Sequence, residues 1–140
     1  MRLIFRILVT ASRTWPDDGS VQIALDRALV AAQEQGYREV MIIEGACPTG
    51  GDKYAHAWAV EGGHRWKRYR AHWGTYGRSA GFKRNSLMVQ QGADMCIAFI
   101  APCNDNRCTK SKPHGSHGAT DCARLAKAAG IPTLKVILDD

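Results

Sequence analysis

The sequence predicts a single α/β domain in which helices cover both faces of a five-stranded parallel sheet, the Rossmann-like three-layer arrangement. Short apolar runs alternate with helical segments along the whole chain, as in successive strand–helix–strand units. The 140 residues are enough for one domain with its own core and leave little room for a second, so the predicted domain spans 1–140. Glycine-rich turns follow several strands, which is where such sheets bind ligands.

Each element is predicted from its own pattern. Runs of apolar and β-branched residues predict strands, and apolar residues at helical spacing predict helices. The predicted strands are 3–10, 40–44, 65–70, 95–100 and 132–138, with the first and fourth as the central pair. An edge position is one option for the third. The predicted helices are 21–35, 50–60, 82–91 and 119–129. The longest loop, 101–118, is expected to be functional or mobile.

The composition favours a cytoplasmic protein with anionic partners. Nineteen Lys and Arg residues against 13 Asp and Glu give a net charge of +6, which attracts phosphorylated molecules or nucleic acid. No apolar run approaches the ~20 residues of a membrane helix, so no membrane partner is expected. Five cysteines without a visible secretory signal indicate a reducing compartment and mostly free thiols.

The segment directly after the first strand carries residue types that hold phosphate. It contains Thr10, Ser12 and Arg13. Hydroxyls and backbone amides bind phosphate oxygens, and an arginine pairs with them. Taken alone, this segment is equally well explained as a hydroxyl-rich loop without a ligand.

Two further loops place glycines and small polar residues at the start of a helix. The loop after the second strand contributes Gly45, Thr49, Gly50, Gly51 and Asp52. The loop before the last helix contributes Gly115, Gly118, Ala119 and Thr120. Amides at a helix N-terminus attract an anion, and Asp52 either accepts from a ribose hydroxyl or stabilises the first helical turn. Because the carboxyl ends of parallel strands share one edge, the three loops together predict one ligand site.

These segments resemble the SLOG superfamily, and within it the YspA/YpsA-related branch of small stand-alone proteins. The resemblance rests on 10–15, 45–52, 81–88, 92–94 and 118–121. It implies a Rossmannoid fold that binds a nucleotide or nucleotide-derived ligand, as a sensor, a sequestering protein or a nucleotide-processing enzyme. It also implies a homo-oligomer. We predict no separate cofactor.

The distantly similar Lonely Guy phosphoribohydrolases, which cleave the base from a nucleoside monophosphate, suggest catalytic residues. Arg84 with Met88 resembles the arginine part of their Arg-Lys-x-x-Met helix, and Asn85 lies beside it. Their Gly-Gly-x-Gly-Thr-x-x-Glu turn is matched less well, since Cys122 falls where the glutamate would be. N-glycosidic cleavage needs a carboxylate to stabilise an oxocarbenium-like state, so Asp121, one position away, is the remaining candidate beside Arg84. Whether the chain is an enzyme therefore stays open.

A zinc site is an alternative use of the long loop. Cys103, Cys108, His114 and His117 are suitable ligand types within one segment. Their spacing is looser than that of a usual zinc finger and lacks a Cys-x-x-Cys knuckle. We therefore predict no metal and expect free thiols in a flexible loop.

Single-stranded nucleic acid is an alternative partner. Between 64 and 84, cations are interleaved with aromatic residues, a pattern that suits phosphate pairing and base stacking. DNA-processing proteins of the same superfamily support this alternative. Trp73 or Tyr76 would instead cover a nucleobase or pack against another subunit if the ligand is a small molecule.

Overall fold

The computed structural model describes residues 3–112 and 114–138. Strands and helices alternate along these residues, with two short helical turns between the third strand and the next long helix. The strands are β1 (Ile4–Ala11), β2 (Glu39–Glu44), β3 (Arg65–Arg68), β4 (Met95–Ile100) and β5 (Thr133–Ile137). The helices are α1 (Asp18–Glu34), α2 (Gly51–Glu61), α3 (Trp73–Tyr76), α4 (Ala80–Gln91) and α5 (His117–Ala128), with a 3-10 turn at Gly77–Ser79.

The five strands form one parallel sheet in the order β3-β2-β1-β4-β5. This confirms the predicted fold class, the pairing of the first and fourth strands and the edge position of the third. The chain runs outward from β1 through β2 to β3, and then returns to β4 on the other side of β1. The topological switch therefore lies between β1 and β4, where open parallel sheets bind their ligands.

The central strands β1 and β4 are apolar except for Arg6 and Thr10 of β1, as expected where helices cover both faces of a sheet. Alternate side chains of β1 point to opposite faces, so Ile7 and Val9 pack against α1 and α2, whereas Leu8 packs against α4 and α5. On the second face, Met88 of α4 and Cys122 of α5 are fully buried against the sheet. Among the described residues, no helix has the length and apolar character needed to cross a membrane.

Three helices begin earlier than the sequence predicts, and each has a glycine in its first turn. Gly19, Gly81 and Gly118 lie inside α1, α4 and α5, although the sequence suggests that such glycines precede a helix. A glycine costs little there, because the first amides of a helix have no intrahelical partner in any case. The remaining predicted boundaries differ by one or two residues, and α3 is too short to produce a helical pattern.

Candidate functional site

A cavity of about 240 Å³ lies at the carboxyl edge of the sheet, beside the switch between β1 and β4. Segments that follow β1, β2 and β4 form its walls, together with α3, α4 and the start of α5. Nine of the residues predicted from the sequence line it: Thr10, Ser12, Arg13, Gly45, Asp52, Arg84, Asn85, Gly118 and Ala119. The structure therefore brings parts of all three predicted loops to one site.

Three predicted residues, Thr49, Gly50 and Gly51, hold the loops together without lining the cavity. Gly50 has a φ of +76°, and a Cβ on it would collide with the backbone of Ser12. A Cβ on Gly51 would collide with a side chain of β1. The hydroxyl of Thr49 donates to the carbonyl of Arg13 at 3.0 Å. These contacts fix the start of α2 against the segment after β1.

Arg84 is anchored to both neighbouring loops. Because α4 begins at Ala80, and not at position 82 as predicted, Arg84 follows the first helical turn and does not lie within it. Its Nη1 donates to the carbonyl oxygen of Gly45 at 2.5 Å, and its Nε donates to Oδ1 of Asn85 at 2.9 Å. Its Nη2 group has no hydrogen-bond partner within residues 3–112 and 114–138. The guanidinium is thus held in position with donors to spare.

Two more arginines and a flat aromatic ring complete a positively charged wall. The guanidinium of Arg13 lies 5.0 Å from the ring centre of Trp73, and Arg78 lines the same cavity. Trp73 is 47% exposed, so part of its indole is open to a ligand. Phe82 on α4 is also exposed and borders the cavity. Arg78 and Phe82 were missed at the sequence level because they belong to no loop that follows a strand.

Among the described residues, Asp52 is the only carboxylate that lines the cavity. It is 4% exposed in the first turn of α2. Its Oδ2 accepts from the backbone N–H of Cys47 at 3.4 Å, while its Oδ1 is buried without a partner among the described residues. Burial, together with the nearby charge of Glu44, raises the pKa of Asp52 to about 6, while the charge of Arg84 opposes the rise.

Glu44, which the sequence analysis missed, holds the turn after β2. The side chain is fully buried, with Oε1 accepting from Nε of Arg68 at 2.5 Å and Oε2 accepting from the N–H of Ala46 at 2.7 Å. Ala46 has a φ of +60°, a conformation that non-glycine residues rarely adopt. A glutamate at the end of an apolar strand was the available signal, since a buried carboxylate needs a partner.

Asn85 links α4 to α5 and borders the cavity between them. Its Nδ2 donates to the carbonyl of Gly118 at 3.1 Å and lies 3.5 Å from Oδ2 of Asp121. Asp121 Oδ1 pairs with Arg124 at 2.9 Å, and Asp121 does not line the cavity. Gly115 and Thr120 also lie outside it, in a neighbouring surface depression that Asp121 shares.

Cys122, at the position where the Lonely Guy pattern has its glutamate, belongs to the core. It is fully buried, and burial raises the pKa of its thiol to about 11. Burial likewise raises the pKa of the Cys47 thiol, which lines the cavity. Both cysteines therefore stay protonated at neutral pH, which is unsuited to a nucleophile.

A serine pair joins the first and third loops. The hydroxyls of Ser12 and Ser116 are hydrogen-bonded to each other, and Ser12 Oγ also accepts from the N–H of Ala101 at 2.8 Å. Ser116 is the N-cap residue of α5, yet it makes no side-chain bond to the helix. Ser116 and Asn104 of the same loop line the cavity.

Residues of the basic and aromatic segment 64–84 lie in several different parts of the structure. Arg65 pairs with Glu39 on the surface at 3.2 Å. Another part forms a shallow depression next to the main cavity, which shares Arg84 with it. This depression is lined by Arg68, Tyr69, Arg70, His72, Tyr76, Ala80, Lys83, Arg84 and Leu87.

Residues 5–76 match the model of the YAcAr family, described as the YspA, cpYpsA-related SLOG family. The chain belongs to this family. The match confirms the resemblance, and it covers the first two of the predicted ligand loops together with Asp52 and Trp73. A YAcAr relationship suggests a nucleotide-related ligand. Over 137 residues the chain is also 36% identical to the Gene 61 protein of Mycobacterium phage D29, covering 92% of this chain and 94% of that protein.

The loop between β4 and α5 of this YAcAr chain gathers four residues of metal-ligating type beside the cavity. One ligand atom from each of Cys103, Cys108, His114 and His117 lies within 4.8 Å of the other three. This is the group of described residues best suited to hold a metal. The expectation of no metal stays a prediction.

Proposed function

We propose that this chain binds a nucleotide or nucleotide-derived small molecule in the cavity at the carboxyl edge of its sheet. The observation that carries the proposal is the combination of three arginines with one buried, incompletely bonded carboxylate, Asp52. This combination suits a ligand that has an anionic group and hydroxyl groups within a short distance of each other. Membership in the SLOG family supports the same class of ligand.

The phosphate of such a ligand would meet the arginine wall. The planar guanidinium of Arg84 binds two phosphate oxygens at once, and its anchoring to Gly45 lowers the entropy lost on binding. Gly118 and Ala119, which line the cavity, lie in the first turn of α5. The dipole and free amides at that helix end add to the attraction of an anion.

The ribose and base would occupy the remainder of the cavity. Asp52 Oδ1 needs a hydrogen-bond partner, which a ribose hydroxyl supplies. The exposed faces of Trp73 and Phe82 offer stacking surfaces for a base. Each part of a nucleotide thus has a matching group in the cavity.

Binding without turnover is the form of this function that the site supports best. Asp121 is paired with Arg124 outside the cavity, and Cys122 is buried in the core. Neither of the α5 positions considered for hydrolysis therefore supplies a carboxylate to the ligand. A sensor or sequestering protein needs only the affinity that the arginines and Asp52 provide.

The test is a thermal-shift and calorimetric screen with nucleoside mono- and diphosphates, cyclic nucleotides and ADP-ribose. A ligand at a hundred times its Kd stabilises the folded state by about 2.7 kcal/mol. We expect one class to bind in this way without release of base, whereas base release would instead indicate a phosphoribohydrolase. If the folded protein gains no stability from any ligand of the panel, the proposal fails.

Single-stranded nucleic acid is a second candidate because of the depression beside the cavity. Arg68, Arg70 and Lys83 lie there with the rings of Tyr69 and Tyr76, so phosphate pairing and base stacking are available together. The measurement is the affinity for short oligonucleotides at several salt concentrations. Binding that falls steeply with salt would favour this candidate over the small molecule.

The homo-oligomer that the resemblance implies is also a proposal. Trp73, Tyr76, Phe82 and Leu87 are each close to half exposed on α3 and α4, which gives that side of the molecule an apolar character. Light scattering after size exclusion measures the mass directly. A monomer at all concentrations would contradict the proposal.

A further inference from the structure

The side chains of Cys103, Cys108, His114 and His117 converge on one point. His117 Nε2 lies 3.3 Å from Cys108 Sγ, 3.6 Å from Cys103 Sγ and 3.3 Å from His114 Nε2. Cys108 Sγ and His114 Nε2 are 3.4 Å apart. Three sequence segments supply these atoms: the strand exit after β4, the middle of the loop and the start of α5.

These four distances match four of the six edges of a zinc tetrahedron, and the other two separations are within 4.8 Å. With Zn–N near 2.05 Å and Zn–S near 2.3 Å, ideal tetrahedral angles place two nitrogens about 3.3 Å apart and a nitrogen and a sulfur about 3.6 Å apart. The observed separations, 3.3 Å between nitrogens and 3.3 to 3.6 Å between nitrogen and sulfur, agree with these values.

Hydrogen bonds alone do not account for the convergence. His114 Nδ1 lies 2.8 Å from the carbonyl oxygen of Ser111, which only accepts, so Nδ1 carries a proton. In the neutral ring, Nε2 of His114 then carries a lone pair and no proton. His117 Nε2 and Cys108 Sγ supply at most one proton each, so the three pairwise contacts among His114 Nε2, His117 Nε2 and Cys108 Sγ cannot all be hydrogen bonds. A divalent cation accepts all of these lone pairs together.

The surrounding loop is built to hold the four ligands in place. The N–H of Cys103 donates to the carbonyl of His114 at 2.7 Å, and Pro102 forms an isolated antiparallel bridge with Gly115. The bond from His114 Nδ1 to Ser111 fixes the tautomer that presents Nε2, a partner that metal-bound histidines usually have. Backbone contacts therefore fasten the loop at its base.

The charges of the loop agree with a dianionic ligand set. Two thiolates and two neutral imidazoles around Zn²⁺ form a neutral centre. The same loop carries three cationic residues, Arg107, Lys110 and Lys112, against one carboxylate, Asp105. Cys103 and Cys108 are separated by four residues, which lies within the range found for zinc ligands.

We propose that Cys103, Cys108, His114 and His117 form a structural Zn²⁺ site that fixes the loop between β4 and α5. All four positions of the tetrahedron are filled by protein atoms, so the metal has no open position for chemistry. Asn104 and Ser116 of the same loop line the ligand cavity, so the metal fixes one of its walls. The proposal does not depend on the nature of the ligand.

The experiment measures metal on the full chain without any nucleotide. Protein purified from zinc-supplemented medium is expected to contain about one Zn²⁺ per chain, as measured by inductively coupled plasma mass spectrometry. After chelation, Co²⁺ is expected to give visible d–d bands of tetrahedral intensity and a thiolate-to-cobalt charge-transfer band. Zn²⁺ should displace these bands at one equivalent.

Variants separate the site from adventitious binding. Cys108→Ser and His114→Gln should each lower the affinity for Zn²⁺ by at least about tenfold, because loss of a residue that merely hydrogen-bonds to a ligand already has an effect of this size. Cys96→Ala and His64→Gln alter a cysteine and a histidine outside both the loop and the cavity and should bind Zn²⁺ like the parent chain. If the folded parent chain takes up no Zn²⁺ and gives no tetrahedral Co²⁺ spectrum, the proposal is wrong, whether or not the variants fold. Unchanged affinity in both ligand variants would equally overturn it.

Discussion

Arg84 of α4 donates from Nη1 to the carbonyl oxygen of Gly45 at the end of β2, across 2.5 Å. A Cβ on Gly45 would occupy the space that the guanidinium fills. The glycine therefore makes room for the arginine, and the arginine satisfies the glycine's carbonyl. This mutual fit fixes the guanidinium before any ligand arrives.

Arg84→Ala is expected to weaken nucleotide binding by more than about tenfold, or at least about 1.4 kcal/mol. Arg84→Lys should recover only part of the loss, because an ammonium group cannot bind phosphate in a bidentate fork. The measurement is titration calorimetry with the ligand from the screen. Arg38→Ala, which removes an exposed arginine outside the cavity, is the matched control and should bind like the parent. If Arg84→Ala binds the ligand as tightly as the parent, Arg84 does not belong to the ligand site.

Because the pKa of Asp52 is raised in the folded state, we expect the free energy of unfolding to fall as the pH rises from about 4 to about 6. Burial raises its pKa in the folded state from 3.8 to about 6, so the folded chain binds more protons than the unfolded chain in this window. The contribution lost across it is on the order of 3 kcal/mol. Asp52→Asn should therefore be more stable than the parent at pH 8, with the difference shrinking toward pH 4.

Urea unfolding at a series of pH values measures the effect of Asp52 on stability. A parent and an Asp52→Asn variant with parallel pH profiles would contradict the assignment. In the ligand assay, the same variant should bind more weakly, because the amide is a poorer acceptor for a ribose hydroxyl than a carboxylate. If Asp52 has both roles, the Asp52→Asn variant should be more stable than the parent at pH 8 and should bind the ligand more weakly.

Glu44 and Glu39 offer a matched pair of glutamates in one strand. Glu44 is buried and pairs with Arg68, whereas Glu39 pairs with Arg65 at the surface. Glu44→Gln should cost about 2 to 4 kcal/mol, because it removes the charge that compensates a half-buried arginine and weakens the bond to Ala46. Glu39→Gln should cost less than about 1 kcal/mol. Equal losses in chemical unfolding would show that burial of the Glu44 pair is unimportant.

Gly50 and Gly63 separate backbone strain from steric collision. Both have a positive φ, +76° and +69°, but a Cβ on Gly63 meets open space, whereas one on Gly50 meets the backbone of Ser12. Gly63→Ala should cost about 1 to 2 kcal/mol from conformation alone. Gly50→Ala should cost about 1 to 3 kcal/mol more and disturb the cavity. Thermal unfolding and ligand affinity measure the two effects, and a similar cost at both positions would contradict the role given to Gly50.

The fold was predictable because its signals are local. Apolar runs with β-branched residues mark the buried strands of a parallel sheet, and the alternation with helices determines its class. The strand order places the loops after β1, β2 and β4 at one edge, so Ser12, Asp52 and Gly118 were predicted together. The prediction missed the short helix α3 and began three helices too late, because glycines tolerated in the first turn of a helix resemble turn residues.

Contacts between distant segments were not predictable from local patterns. The bond between Arg84 and Gly45 and the pair of Arg68 with Glu44 depend on how α4 and β3 lie against β2. Asp121 illustrates the same difficulty on a smaller scale, because one residue along a helix changes the direction of a side chain by about 100°. Only the folded chain shows that it faces Arg124 and not the cavity.

The hydroxyl bond between Ser12 and Ser116 connects the ligand cavity to the loop that carries the four cysteines and histidines. Two sites that share a structural element in this way obey thermodynamic reciprocity. If zinc raises the affinity for the nucleotide by some factor, the nucleotide must raise the affinity for zinc by the same factor. A chain with this connection would report the metal status of its surroundings through the amount of nucleotide it holds, without any change in the residues that touch the nucleotide.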